Sequence, residues 1–358
     1  MRFFFLLLLL IFFLSSCGTT KGMPLATEDP PANEKAATEE IIALLKATLE
    51  ESYPDPAATE RDAHPKQHGL VKAEFVIADD IPEAYRIGIF SEPKTYQSWL
   101  RYSKLLNGPD IDADSHGLAI KLMGVPGQKI LPGLEDAPTH DFVFMSTQIF
   151  VTKGVKGFAD LLSAVRKKNK LNAAWHFLTH PRLLRLFMKV QIKAADLTAV
   201  EWGSTTPYLL GEHAVKYAVL PRTSSDAERP DKKTAEATFL TTRLAETLAS
   251  GPVELDFFIQ VQTDARKMPI EDARVEWDRS LSPFIRVATV RILQQEFTSA
   301  EQQAYGQNLS FSPWHALPAH RPLGGINRGR RAIYDQMSKF RHGRTGGAMA
   351  EPAQWREF

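Results

Sequence analysis

The chain has 358 residues, 44% of them hydrophobic and 24% charged. That is ordinary globular composition and excludes a disordered, collagen-like or polytopic membrane protein. Lys and Arg total 43 against 42 Asp and Glu, a net charge of +1, which argues against a nucleic-acid partner whose binding rests on neutralised phosphates. A single cysteine excludes an internal disulfide framework, a Cys-rich zinc site and a Cys-x-x-Cys redox centre.

The chain opens with Met1-Arg2, twelve apolar residues and then Ser15-Ser16-Cys17. A positive start, a short apolar core and small residues before a cut read as a secretory signal over 1–16. Twelve residues are too few to span a ~30 Å hydrocarbon core as a helix. Leu14-Ser15-Ser16-Cys17 resembles a bacterial lipobox, which implies cleavage before Cys17 and lipidation of its thiol; an ordinary signal peptide is the alternative. Gly18 after the cysteine, by the same analogy, implies an envelope protein anchored in the outer membrane and facing the periplasm. Residues 17–60 then form a lipidated tether, a helix over 33–52 marked by Ile41, Ile42, Leu44, Leu45 and Leu49, and the start of an extended arm broken by Pro54, Pro56 and Pro65.

Strand-like runs follow at 70–78, 85–90, 117–124, 141–151, 213–220, 253–263 and 286–297, rich in β-branched and aromatic residues and bounded by Gly, Pro or Asp. Helical stretches are expected at 154–169, 171–194, 234–249 and 327–341. Strands with separate helical insertions read as α+β around an antiparallel barrel. The stretch 171–194 carries Arg182, Arg185, Lys189 and Lys193 in one basic stripe opposite Leu184 and Phe187. Such a helix can lie on an anionic membrane, although a solvated face packed on the barrel is the plainer reading. The tail 342–358 is Gly- and Arg-rich and is expected to be loose.

Phosphate-loop, dinucleotide, nucleophile-elbow and His-Glu-x-x-His motifs are all absent. His64 and His68 are four apart, the spacing of helical metal ligands, but Pro65 lies between them. Near the C-terminus, Asn327-Arg328-Gly329-Arg330-Arg331-Ala332-Ile333-Tyr334 opens a helix. Arg330 and Tyr334 fall on one face of it, where a guanidinium favours the phenolate. A tyrosinate is a hard donor suited to Fe(III), and tyrosine is the haem ligand of catalase.

Five segments in order, from about residue 60 to 341, resemble the catalase superfamily, and the stretch from Val253 to Phe297, with Met268-Pro269-Ile270-Glu271-Asp272, looks most like its small, divergent catalase-related members. The resemblance implies a catalase-like antiparallel β-barrel with surrounding helices and an N-terminal arm, a haem-binding domain over 61–341, and haem of the b type. In Arg61-Asp62-Ala63-His64-Pro65-Lys66 it assigns Arg61 to a haem propionate and His64 to the distal side of the iron. In Tyr85 through Ser91 it gives Ser91 the support of that histidine. In Asp114 through Lys121, His116 replaces a propionate-binding arginine. Over Asp141 to Phe158, Phe158 takes the place of an aromatic that covers the haem. On the last helix it assigns Arg330 to the axial ligand, Tyr334 to the iron and Arg341 to a further propionate.

One departure bears on activity. Members of the family carry adjacent asparagines on the distal strand, and this chain has Met145-Ser146-Thr147 there. Ser146 can donate a hydrogen bond but reaches less far, and Met145 would bring an apolar, oxidisable thioether. The resemblance thus implies a haem-dependent oxidoreductase of catalase or peroxidase type acting in the response to oxidative stress. Weak on hydrogen peroxide, it would take organic or lipid hydroperoxides, with His64 as general acid–base. Two other readings stand beside it: a haem-binding envelope lipoprotein without turnover, and a scaffold that binds no haem.

Overall fold

The computed structural model of the chain describes residues 24–166, 170–347 and 351–358; the signal, Cys17 and the start of the tether lie outside them. Nine antiparallel strands form one sheet: β1 (Lys66–Ile77), β2 (Thr95–Lys104), β3 (His116–Met123), β4 (Thr139–Met145), β5 (Trp202–Gly203), β6 (Tyr208–Leu210), β7 (His213–Pro221), β8 (Val253–Val261) and β9 (Ile285–Ile292). β5 bridges β4 (Met145 to Gly203) and β7 (Trp202 to Val219). That pairing closes the sheet into a barrel, with β6 as a short hairpin partner of β7. Closure removes the open edges that would otherwise template aggregation.

Strand side chains alternate between faces, and here the alternation sorts core from site. Leu100, Tyr102, Leu118, Ile120, Phe142 and Phe144 point into the barrel with Val71, Phe75, Tyr217 and Phe257. Phe142 and Phe75 each lie 5.0 Å from Phe257, centroid to centroid, in edge-on contacts, the favoured aromatic geometry. The intervening residues Arg101, Ser103, Gly117, Ala119, Val143 and Met145 face outward.

Helices α1 (Glu34–Ser52), α2 (Val155–Arg166), α3 (Lys170–Thr179), α4 (Pro181–Val190), α5 (Phe239–Ser250), α6 (Ala300–Asn308) and α7 (Gly325–Thr345) surround the barrel. α5 packs Leu240, Leu244 and Leu248 into the main core. α1, α2 and α7 form a second core from Ile41, Ile42, Leu49, Val155, Ala159, Ile333 and Met337. The start of α7 is fixed by carboxylates: Glu28 accepts from the Gly324 N–H at 2.8 Å and Glu271 from the Gly325 N–H at 3.0 Å. Both acids also grip Arg328, together with Glu34 at 2.7 Å. Negative charge at a helix N-terminus complements the helix dipole.

The α+β barrel is as expected, and several elements are not. Residues 85–90 form two 3-10 turns, Glu83–Tyr85 and Gly88–Phe90, because the backbone at Gly88 is left-handed (φ 61°). The strand lies further on, as β2. The long helix expected over 171–194 is two helices broken at His180-Pro181, since proline cannot continue a helix. The tail is docked: Glu351 and Asp141 both pair with the fully buried Lys121, at 2.6 and 2.7 Å, and the Trp355 indole donates to the Ser98 carbonyl at 3.0 Å.

Candidate functional site

Between the outer wall of β2–β4 and one face of α7 lies a cavity with about 860 Å³ of space free of protein atoms, open solvent at its mouth included. Positions 330, 333, 334, 337, 338 and 341 of α7 recur at helical spacing and all line it, as do Arg61 and His64 of the arm and Arg101, Ser103, Gly117, Val143 and Met145 of the barrel. His64 on the strand wall and Tyr334 on the helix thus belong to opposite sides of one space.

His64 has a left-handed backbone (φ 56°), uncommon for a residue with a side chain. Its ring lies against β3 at Gly117, where only glycine fits: a Cβ there would come within 2.7 Å of His64 Nδ1 and 2.8 Å of Ser103 Oγ. Ser103 Oγ is 3.3 Å from His64 Nδ1, and the Arg101 guanidinium donates to the His64 carbonyl at 3.0 Å. Burial, with Arg101, His116, Arg330 and Arg61 nearby, pulls the imidazole down to about 3. His64 is therefore neutral at physiological pH.

Arg61, Arg101 and Arg341 crowd together on this cavity. Arg61 donates to the carbonyls of Gly306 (3.1 Å) and Gln307 (3.2 Å) and to that of Leu309, and its Nε is buried without a partner. Arg341 donates to the Gln307 carbonyl at 2.7 Å. Burial and the neighbouring cations hold Arg61 well below the usual arginine range and Arg101 at about 9. Among the described residues none of the three makes an ion pair; Asp62 offsets them only at longer range. Burying cations without counter-ions is costly, so the cluster fits a ligand that brings its own carboxylates. A dianionic planar group ligated by a phenol meets that donor set, and haem has this chemistry.

Arg330 stacks over the Tyr334 ring, guanidinium to centroid 5.9 Å. Its hydrogen bonds go to Thr206 Oγ1 (3.3 Å) and Asn327 Oδ1 (3.4 Å), so it flanks the phenol without bonding to it.

Of the residues singled out in the sequence, Arg61, His64, Arg330, Tyr334 and Arg341 come together here, and four do not. Ser91 is exposed after the Gly88–Phe90 turn; the serine beside His64 is Ser103, because β2 and not 85–90 is the strand that passes under the arm. His116 points into the barrel, 5.6 Å from His68, one residue out of phase with Gly117, and both its ring nitrogens lack partners. The guanidinium on the cavity wall comes from Arg101 instead. Ser146 also turns away: its Oγ accepts from the His116 N–H at 3.0 Å, and Met145 is the residue on the wall. Phe158 packs on Phe150 at 5.2 Å behind the cavity. His64 and His68 share no site, since the bulge between Gln67 and Gly69 sends His68 into the barrel, and no metal-binding cluster occurs among the described residues. Arg101, Ser103 and Gly117 were missed, although the alternation in Trp99-Leu100-Arg101-Tyr102-Ser103 places Arg101 and Ser103 on one face.

No family model matches the chain. Over 247 residues it is 28% identical to the catalase-related peroxidase of Mycolicibacterium paratuberculosis (strain ATCC BAA-968 / K-10), covering 64% of this chain and 75% of that protein. Its fold superposes on a fungal catalase (TM-score 0.63, 18% identity, 79% of this chain and 59% of that one) and on catalase A from Saccharomyces cerevisiae (0.63, 18%, 79% and 61%). A bacterial catalase gives 0.61 at 16% identity over 90% of this chain and 64% of that one. The chain spans about six-tenths of the length of these catalases. The fold is catalase-like, and the resemblance to the catalase superfamily is borne out.

Proposed function

We propose that the protein is a haem-dependent oxidoreductase that decomposes peroxides, with organic hydroperoxides as better substrates than hydrogen peroxide. The observation that carries this reading is one cavity with the neutral imidazole of His64 on one wall, the phenol of Tyr334 on the other and four arginines, Arg61, Arg101, Arg330 and Arg341, on its lining that make no ion pair among the described residues. Haem, when bound, supplies the iron centre and its redox chemistry. Tyr334 would hold the iron from α7, and Arg61, Arg101 and Arg341 would hold the propionates, relieving their mutual repulsion. His64 takes the proton from the incoming hydroperoxide and returns it to the departing oxygen. Ser103 engages Nδ1 and so leaves Nε2 for that transfer.

Met145 and Val143 make the strand wall apolar where a donor would hold a small peroxide. A hydroperoxide with an apolar body can be positioned by remote contacts. The name of the mycobacterial relative, a catalase-related peroxidase, supports the same direction. Met145 also favours a second reading, haem binding without turnover. The lipobox-like start further supports a place in the cell envelope, lipid-anchored through Cys17 and facing the periplasm; fatty-acid labelling of the wild type and not of Cys17→Ser tests it. For the activity, the haem-reconstituted protein should turn over cumene hydroperoxide faster than it evolves oxygen from hydrogen peroxide, and His64→Ala should slow that turnover about 10²–10⁴-fold. No turnover of either peroxide would leave the haem-binding reading.

A further inference from the structure

The chain balances its charges overall, yet residues 161–195 contain eight lysines and arginines and no Asp or Glu. This segment is the last turns of α2, with Val165 and Arg166, then α3, α4 and their flanks. It also concentrates exposed apolar side chains. Of the ten large hydrophobics most exposed among the described residues, six are here: Val165, Leu171, Trp175, Leu178, Leu184 and Met188. Leu171, Trp175 and Leu178 fall at i, i+4 and i+7, one stripe of α3, and are 67–73% exposed. On α4, Leu184 and Met188 are one turn apart and exposed, each directly followed by an exposed cation, Arg185 and Lys189. The two helices are joined by the Phe177–Phe187 ring contact at 5.4 Å, so those outward residues are not needed to hold the hairpin together. Lys189 reaches back to Glu276 at 2.9 Å, whereas Arg182 and Arg185 make no ion pair among the described residues.

We propose that the α3–α4 hairpin is a docking surface for an anionic phospholipid membrane. Exposed apolar patches of this kind mark interaction sites, and the composition is that of helices that lie in a membrane interface: aromatic and aliphatic side chains flanked by Lys and Arg. Cations near such a surface gain from its negative potential. Charge selects this occupant over a second copy of the chain. A two-fold dimer through this face would set the same patch against itself, bringing like charges together with no acid in the segment to offset them. The hairpin lies on the surface and does not cross it, since no helix among the described residues is long and apolar enough to span a membrane. The proposal rests on neither the haem reading nor the anchor at Cys17.

The chain's one cysteine makes a site-specific test possible. In full-length Cys17→Ser, a polarity-sensitive fluorophore is placed at Leu178→Cys, or at the exposed control Leu281→Cys. Vesicles of phosphatidylglycerol should blue-shift the probe at 178 and not at 281, and pure phosphatidylcholine vesicles should do so at least tenfold more weakly. Adding Arg182→Glu and Arg185→Glu should raise the phosphatidylglycerol concentration needed by tenfold or more. No shift at 178 with either lipid overturns the proposal. So does a shift that needs no vesicles and grows with protein concentration, which would mark a self-association surface, or one equal for both lipids.

Discussion

On the cavity wall made by β3 and β4, Met145 lines the proposed peroxide site with a thioether that cannot donate a hydrogen bond, while its neighbour Ser146 is turned toward the His116 backbone. Replacing Met145 with Asn should therefore raise oxygen evolution from hydrogen peroxide by about tenfold, the weight of roughly one hydrogen bond, and Ser146→Asn should not. An oxygen electrode on the reconstituted variants reads both. Gly117→Ala places a methyl within 2.7 Å of His64 Nδ1, so the imidazole must move off β3. Peroxide turnover should fall while the haem spectrum persists; unchanged turnover would mean that His64 is not held by this packing. At this scale Tyr334 beside Arg330 was readable only through the five ordered segments that resemble the catalase superfamily, since any helix can carry Arg-x-x-x-Tyr. The sequence was opaque where strand parity decides: His116 and Gly117, or Met145 and Ser146, differ by one residue and end on opposite faces.

α7 carries the phenol, Arg330 and Arg341, and its position depends on the three carboxylates around Arg328. Arg328→Ala would leave Glu28, Glu34 and Glu271 facing each other, partly buried, and should destabilise the protein by about 3 kcal/mol. Denaturant titration measures this, and a change below about 0.5 kcal/mol would show the cluster to be solvated. The strands β1, β3, β7, β8 and β9 and the helices α1, α2 and α7 were legible because one face is apolar and the period shows. β2 was passed over, although Leu100 and Tyr102 alternate with Arg101 and Ser103 as in a half-buried strand. α6 was not legible, being a polar segment with no apolar stripe, started by Ser299 accepting from the Gln302 N–H at 3.2 Å. The tail lacks any period, and it is held by single contacts through Glu351 and Trp355.

At the scale of the whole molecule, His68, His116, His140 and His320 are among the histidines sealed in the core. Burial pulls His68, His116 and His320 down to about 3 and His140 well below its usual range. The unfolded chain protonates them near 6.5. As pH falls from about 6.5 toward 3 the unfolded state takes up protons the folded state cannot, so stability falls, by ~1 kcal/mol per histidine per pH unit. The denaturation midpoint should drop steeply between pH 7 and pH 5; a flat profile would mean that these imidazoles take up protons in the folded state as readily as in the unfolded chain. The central claim is haem held by Tyr334 among the three arginines. It is tested most directly by the absorption spectrum of the protein reconstituted with haem, wild type against Tyr334→Phe. The account predicts a Soret band with a phenolate-to-iron charge-transfer band in the wild type, and loss of the charge-transfer band with weaker haem retention in the variant. An unchanged spectrum in Tyr334→Phe, or no haem uptake by the wild type, would contradict it.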